Sequence, residues 1–203
     1  MKLKLTILTL ALCLSASAKI KVEKGSLTPQ TEYAASLLKP FEKGYTITLR
    51  IADTGLPPEG FTISKNGKKI TIQGNDGPGV IYGVNRLKEY YLMNRSFDGL
   101  ETITETPEMV LRGACVGLQK TVYLPGHRVY EYPYTPENFP WFYDKALWIK
   151  YLDLLAADNM NTVYLWNGHP FASLVKLDDY PFAPEVDDAT MQKNQEMFSF
   201  LVE

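Results

Sequence analysis

Between Val110 and Trp166 the sequence reads as strand, helix, strand, and no other feature limits the possible folds as tightly. Val110 to Val116 is apolar except for Arg112, and Asn161 to Trp166 is a continuous run of the kind found in strands covered on both faces. In between, Phe142 to Asn159 sets Leu147, Tyr151, Leu154 and Leu155 on one stripe and leaves Asp144, Lys145, Lys150 and Asp153 for solvent. A right-handed β-α-β unit satisfies this pattern and is the opening unit of a parallel (β/α)8 barrel. A closed barrel takes roughly 250 residues and carries its chemistry on loops after several different strands. Here one further helix follows before Glu203. The expectation is the front end of a larger enzyme, with an incomplete barrel over residues 110–203.

The N-terminus has the layout of a secretory signal peptide over residues 1–18. Lys2 and Lys4 form the basic region, Leu5 to Leu14 the apolar core, and Ala16-Ser17-Ala18 the cleavage site. A lipoprotein reading through Cys13 competes, but it places Leu12 directly before the cysteine and shortens the apolar stretch. Export to the periplasm or the extracellular space is expected. After processing only Cys115 remains, which leaves no disulfide framework and no cysteine-rich metal site. A net charge of -2 provides no basic stripe for nucleic acid and no polybasic patch for membranes. No later apolar run reaches the ~18 residues of a membrane span.

Residues 19–95 read as a small α/β sandwich in the order β-α-β-β-β-α. Ile20 to Val22 is a short strand, and Thr28-Pro29 supplies an N-cap and a first-position proline for a helix ending near Pro40. Tyr45, Ile47, Leu49 and Ile51 alternate on one strand face. Phe61 to Lys65 and Lys68 to Gln73 flank Asn66-Gly67, a strong hairpin signal. A glycine loop then enters a helix from Val80 to Met93 with Val84, Leu87 and Tyr91 at helical spacing. Its glycines fall at 74, 77, 79 and 83, which does not meet the G-x-G-x-x-G spacing of a dinucleotide site. Tight turning and close packing of helix on sheet at Gly83 explain them instead, and no cofactor is expected.

The segments Gly60-Phe61-Thr62-Ile63, Ile70-Thr71-Ile72-Gln73-Gly74 and Gly79 to Leu87 resemble the small domain that precedes the barrel in bacterial β-hexosaminidases of glycoside hydrolase family 20. A similar domain precedes the barrels of α-glucuronidases and α-N-acetylglucosaminidases. The resemblance implies a zincin-like fold without zinc, and this sequence likewise has no H-E-x-x-H. A polar, threonine-rich linker is expected over residues 96–109. Beyond it the resemblance continues through Leu111-Arg112-Gly113, Asn159-Met160-Asn161 and Tyr180-Pro181. It implies that Arg112 holds hydroxyls of a bound sugar. The sequence departs from the family at Gly117 and Lys120, where members carry Asp and Arg, and in the run Tyr164-Leu165-Trp166-Asn167-Gly168-His169.

The candidate substrate-binding residues follow from position. Arg112 is apolar-flanked in a strand and needs a partner, either a structural one or a sugar. Trp166, Asn167 and His169 lie at or just past the end of the second strand, and Gln119 and Lys120 just past the first, where barrel enzymes place functional groups. A solvated turn is the competing reading for these four loop residues. The stretch Tyr123 to Phe142 carries Tyr123, Tyr130, Tyr132, Tyr134, Phe139, Trp141 and Phe142, suited either to stack on sugars or to pack on its own domain. No pair of carboxylates can be assigned as acid and base. Asp187 and Asp188 precede a helical run and read as caps. The function expected is that of the N-terminal portion of an exported, hexosaminidase-like glycoside hydrolase acting on oligosaccharides or polysaccharides and inactive on its own. A noncatalytic glycan-binding protein and an α-glucuronidase-type hydrolase are the alternatives.

Overall fold

The computed structural model of the chain describes residues 19–39, 44–118, 121–126, 128–166 and 170–202. The signal-like segment lies outside them. The chain divides into two compact units, Met1–Glu108 and Met109–Glu203.

The first unit runs β1 (Lys19–Val22), α1 (Pro29–Leu37), β2 (Thr46–Ile51), β3 (Phe61–Asn66), β4 (Lys69–Gly74), α2 (Gly77–Asn94) and β5 (Ile103–Glu105). Its sheet has the order β1-β2-β4-β3-β5. β1, β2 and β4 are parallel, while β3 runs antiparallel to both β4 and β5. α1 begins where Thr28-Pro29 predicts, fixed by a capping box. Thr28 Oγ1 accepts from the Thr31 amide at 3.2 Å, and Thr31 Oγ1 accepts from the Thr28 amide at 2.9 Å. Gly67, at φ 57°, turns the β3–β4 hairpin.

Alternation along the strands sorts the sheet into two faces. Ile47, Leu49, Ile63, Ile70 and Ile72 are fully buried against Ala34 of α1, Leu38 at its C-cap, and Val80, Val84 and Leu87 of α2. The opposite face carries Thr48, Arg50, Thr62, Ser64, Thr71 and Gln73, and the Arg50 guanidinium donates to Gln73 Oε1 at 2.7 Å. The unit is therefore a two-layer sandwich with both helices on one side.

α2 starts at Gly77, ahead of the expected Val80, because Asp76 is its N-cap. One carboxylate oxygen accepts from the Gly79 amide at 2.8 Å and the other from the Glu59 amide at 2.8 Å, tying the loop before β3 to the helix start. A Cβ at Gly83 would stand 2.5 Å from Ile72 Cγ2, and one at Gly79 would stand 2.5 Å from the Gly60 carbonyl oxygen. These glycines permit close approach of helix, sheet and loop.

Within residues 96–109, expected as a linker, β5 joins the sheet. Ile103, Thr104 and Glu105 pair with Ile63, Thr62 and Phe61. Ile103 packs on the core, Thr62 and Thr104 hydroxyls meet at 3.2 Å, and Glu105 accepts from Arg86 Nε at 2.8 Å. Three residues are too few to show a period.

The second unit contains β6 (Gly113–Gly117), a hairpin of β7 (Thr121–Leu124) and β8 (Arg128–Glu131), α3 (Lys145–Ala157), β9 (Thr162–Trp166), α4 (Pro170–Ser173) and α5 (Asp188–Val202). β6 and β9 pair in parallel around the intervening α3. The stripe of α3 differs from the one expected. Trp148 and Leu155 are its buried residues, whereas Leu147 and Leu154 are 45% and 58% exposed. With Leu147, Trp148, Ile149, Leu152, Leu154 and Leu155 spread round its circumference, periodicity cannot select a face. Among the described residues no helix is long and apolar enough to cross a membrane.

Candidate functional site

The register of β6 and β9 determines which side chains share a face. Gly113, Cys115 and Gly117 stand opposite Thr162, Tyr164 and Trp166. Cys115 is exposed, Tyr164 is 60% and Trp166 52% exposed, and a Cβ at Gly117 would meet nothing within 4 Å. The alternate residues Val116, Val163 and Leu165 pack against the core of this unit. The strand pair therefore presents two bare aromatic rings beside an open glycine position. Trp166, a predicted site residue, terminates this face, and its carbonyl accepts from the Leu118 amide at 2.8 Å.

Arg112 lies at the other end of the pair, directly before β6. Its Nε donates to the Asn159 carbonyl at 2.9 Å and its Nη1 to the Met109 carbonyl at 2.6 Å. Asn161 completes the arrangement, with its Oδ1 accepting from the Arg112 amide at 3.0 Å and its Nδ2 donating to the Val110 carbonyl at 2.8 Å. Asn159 provides its carbonyl from a left-handed turn at φ 57°. The segments Leu111-Arg112-Gly113 and Asn159-Met160-Asn161 thus join the N-terminal ends of the two strands. A Cβ at Gly113 would lie 1.9 Å from the Thr162 carbonyl oxygen, so that close approach requires glycine. The structure brings Arg112 and Trp166 to opposite ends of one strand pair. Gln119, Lys120, Asn167 and His169 lie outside the described residues.

The aromatic stretch divides into a hairpin and a packed segment. Pro125-Gly126 turns β7 into β8, where Thr121 pairs with Glu131 and Leu124 with Arg128. The β-branched and aromatic residues flanking Pro-Gly were the available sequence signal. After it, Tyr134, Phe139 and Phe142 are buried, and Phe142 meets Trp141, Tyr143, Trp148 and Phe198 in tilted or edge-to-face pairs. Trp148 Nε1 donates to the Phe142 carbonyl at 2.8 Å. This part of the stretch packs on its own unit. Trp141 also borders a hollow of about 410 Å³, with Cys115, Val116, Gly117, Leu147, Trp148 and Tyr151 as its other walls.

Asn194 of α5, unmarked in the sequence reading, is fully buried. Its Nδ2 donates to the Tyr134 carbonyl at 3.0 Å and the Ser173 carbonyl at 2.9 Å, while Oδ1 accepts from the Tyr143 hydroxyl. Ser173 Oγ accepts from the Tyr134 amide at 2.9 Å. Burial, reinforced by the charge of Glu137, pushes the Tyr143 phenol up to about 12, so it remains a neutral donor. The segment between β8 and α3 and the short helix that follows β9 are thereby locked together. An asparagine between Met191 and Met197 on an apolar helix face was the signal for it. Asp187 caps α5 as expected, accepting from the Thr190 amide at 2.8 Å.

Residues 4–96 match the family model of glycosyl hydrolase family 20, domain 2. A solved GH138 enzyme targeting pectin rhamnogalacturonan II is 49% identical, with a TM-score of 0.76 over 91% of this chain and 29% of that one. The β-N-acetylhexosaminidase of Bacteroides fragilis is 17% identical, with a TM-score of 0.53 over 93% of this chain and 39% of its own. A Streptomyces plicatus β-hexosaminidase in complex with product is 17% identical, with a TM-score of 0.54 over 93% of this chain and 40% of its own. The two hexosaminidases share the fold alone. No curated protein matches the sequence. The N-terminal part of the chain resembles a glycoside hydrolase accessory domain, and the chain spans 29% of the GH138 enzyme's length.

Proposed function

We propose that the chain is the N-terminal portion of an exported glycoside hydrolase, an accessory domain over residues 19–108 followed by the first two β/α units of a (β/α)8 barrel, acting on pectic glycans. The observation that carries this reading is 49% identity across 91% of the chain to an enzyme targeting pectin rhamnogalacturonan II. The parallel β6-α3-β9 unit supports the barrel, because its bare strand face and the exposed Leu147, Ile149 and Leu154 of α3 both need further layers. The signal-like residues 1–18 support export.

The substrate-binding residues of this reading are Trp166, at the C-terminal end of β9, with Gln119 and Lys120, which follow β6 in sequence, and Asn167 and His169, which follow β9 in sequence. Arg112 contributes through the strand junction it clamps. Two strands cannot enclose a barrel core, and acid and base carboxylates come from elsewhere in such an enzyme. Residues 19–203 alone are therefore expected to be inactive.

The test is incubation of the full-length protein carrying this chain with rhamnogalacturonan II and, separately, with an aryl N-acetyl-β-glucosaminide. Sugar release from the pectin and none from the aryl glycoside is the expected outcome. The reverse pattern would establish a hexosaminidase. Binding of the pectin without any release would establish the noncatalytic alternative.

A further inference from the structure

The loop between α4 and α5 is built to hold two aromatic rings in water. Two successive turns shape it. The Tyr180 amide donates to the Leu177 carbonyl at 3.0 Å, and the Ala183 amide to the Tyr180 carbonyl at 3.0 Å. Pro181 and Pro184 restrict the backbone on either side of Phe182. The Glu185 amide donates to the Ala172 carbonyl at 2.8 Å, and Lys176 pairs with Asp188 at 2.6 Å across the base of the loop. On this frame Tyr180 is 55% and Phe182 81% exposed. Their centroids lie 6.1 Å apart with the planes at 78°, so the two rings form a corner. Isolated exposed apolar side chains are ordinary. An oriented pair on a double turn, following a strand end already assigned to substrate, is a different observation.

We propose that Tyr180 and Phe182 form a stacking platform for an uncharged pyranose unit of the glycan, an outer subsite of the enzyme. It rests on the glycan reading above. A pyranose has an apolar C–H face that fits an aromatic ring and a rim of hydroxyls that donate hydrogen bonds. Asp178 and Asp179, both exposed in the first turn, supply acceptors for such hydroxyls. Charge complementarity sets the class of unit, since two carboxylates repel a uronate and leave a neutral sugar favoured.

The experiment is affinity electrophoresis of the full chain in gels containing rhamnogalacturonan II or polygalacturonate, with Tyr180→Ala, Phe182→Ala and Phe182→Trp alongside melting curves. Wild type should be retarded more by rhamnogalacturonan II. Each alanine variant should bind roughly three- to tenfold more weakly at unchanged melting temperature, and Phe182→Trp should retain binding. Retarded wild type with equally retarded alanine variants would overturn the platform and leave the glycan reading standing. No retardation of wild type in either gel would overturn the platform. Equal or stronger retardation in polygalacturonate would overturn the assignment to a neutral sugar. A fall in melting temperature in all three variants would show that the rings are covered by the protein's own chain, and would also overturn the platform.

Discussion

Gly83→Ala tests the packing account of the glycine loop most directly. In α2 the substitution gains about 1 kcal/mol of helix propensity. Against that, the new Cβ would lie 2.5 Å from Ile72 Cγ2 and 3.2 Å from the Phe61 ring, where ordinary contact begins near 3.4 Å. Ile72 is fully buried and Phe61 4% exposed, so neither can swing aside. Overpacking of this kind costs about 1–3 kcal/mol. With the contact this short the upper part of that range applies, leaving a net destabilisation of about 1–2 kcal/mol. All three tryptophans, Trp141, Trp148 and Trp166, belong to the second unit, so their fluorescence does not report on α2. Hydrogen exchange of α2 and β4 peptides across a urea series does. Ile72→Ala alone should cost about 2–5 kcal/mol. Combined with Gly83→Ala, it should recover about 1–2 kcal/mol relative to the sum of the single changes, because the opposing methyl is gone. A Gly83→Ala protein more stable than wild type, or a double-mutant cycle with no coupling, would refute the reasoning and return the loop glycines to some other role.

Three further outcomes are expected. Asn194→Ala leaves the Tyr134 and Ser173 carbonyls and the Tyr143 hydroxyl without their buried partner, so it should cost about 3–6 kcal/mol and raise exchange in residues 132–143 and 170–174 together; a rise in only one segment would disprove the lock. Arg112→Met removes two charge-assisted bonds to main-chain carbonyls and should lower the urea stability of the second unit by about 2–4 kcal/mol, whereas unchanged stability would leave sugar binding as its sole role. The Tyr45 hydroxyl and then Lys68 hold the Asp98 carboxyl below its usual 3.8, so its contribution is present above that pH and is lost as acid protonates the folded group. The exchange-detected stability of α2 should therefore fall more steeply below pH 4 in wild type than in Asp98→Asn, and identical profiles would remove Asp98 from the account.

Sequence was most informative where a local device determines the outcome. Thr28-Pro29 starts α1, Asn66-Gly67 turns the hairpin, and Tyr45, Ile47 and Leu49 are buried on one face, as their alternation implies. It was least informative where partners distant in sequence decide. β5 is three residues long and is a strand only because β3 offers it an edge. The apolar side chains of α3 cover more than half of its circumference, so only the position of β6 and β9 makes Trp148 its inward residue. Arg112 stood out as a charge in an apolar strand, but the acceptors it requires are carbonyls, one 47 positions away, and carbonyls leave no mark in a sequence. Asn194 was legible in principle, as a lone amide on a methionine-lined face.

The strand order of the first unit has a consequence for the sequence of events as the chain emerges N-terminus first into the space where it folds. β3 lies outside β4, so β2 cannot extend the sheet until the β3–β4 hairpin has formed and docked through β4. That hairpin closes over a two-residue turn and can form within microseconds of emerging. β5 then caps the β3 edge, and it emerges before β6 does. If emergence keeps pace with synthesis, at about 5–20 residues per second, the chain has seconds in which to finish one core before the bare face of Cys115, Tyr164 and Trp166 exists. The nascent protein meets its stickiest surface only after a completed domain already stands ahead of it.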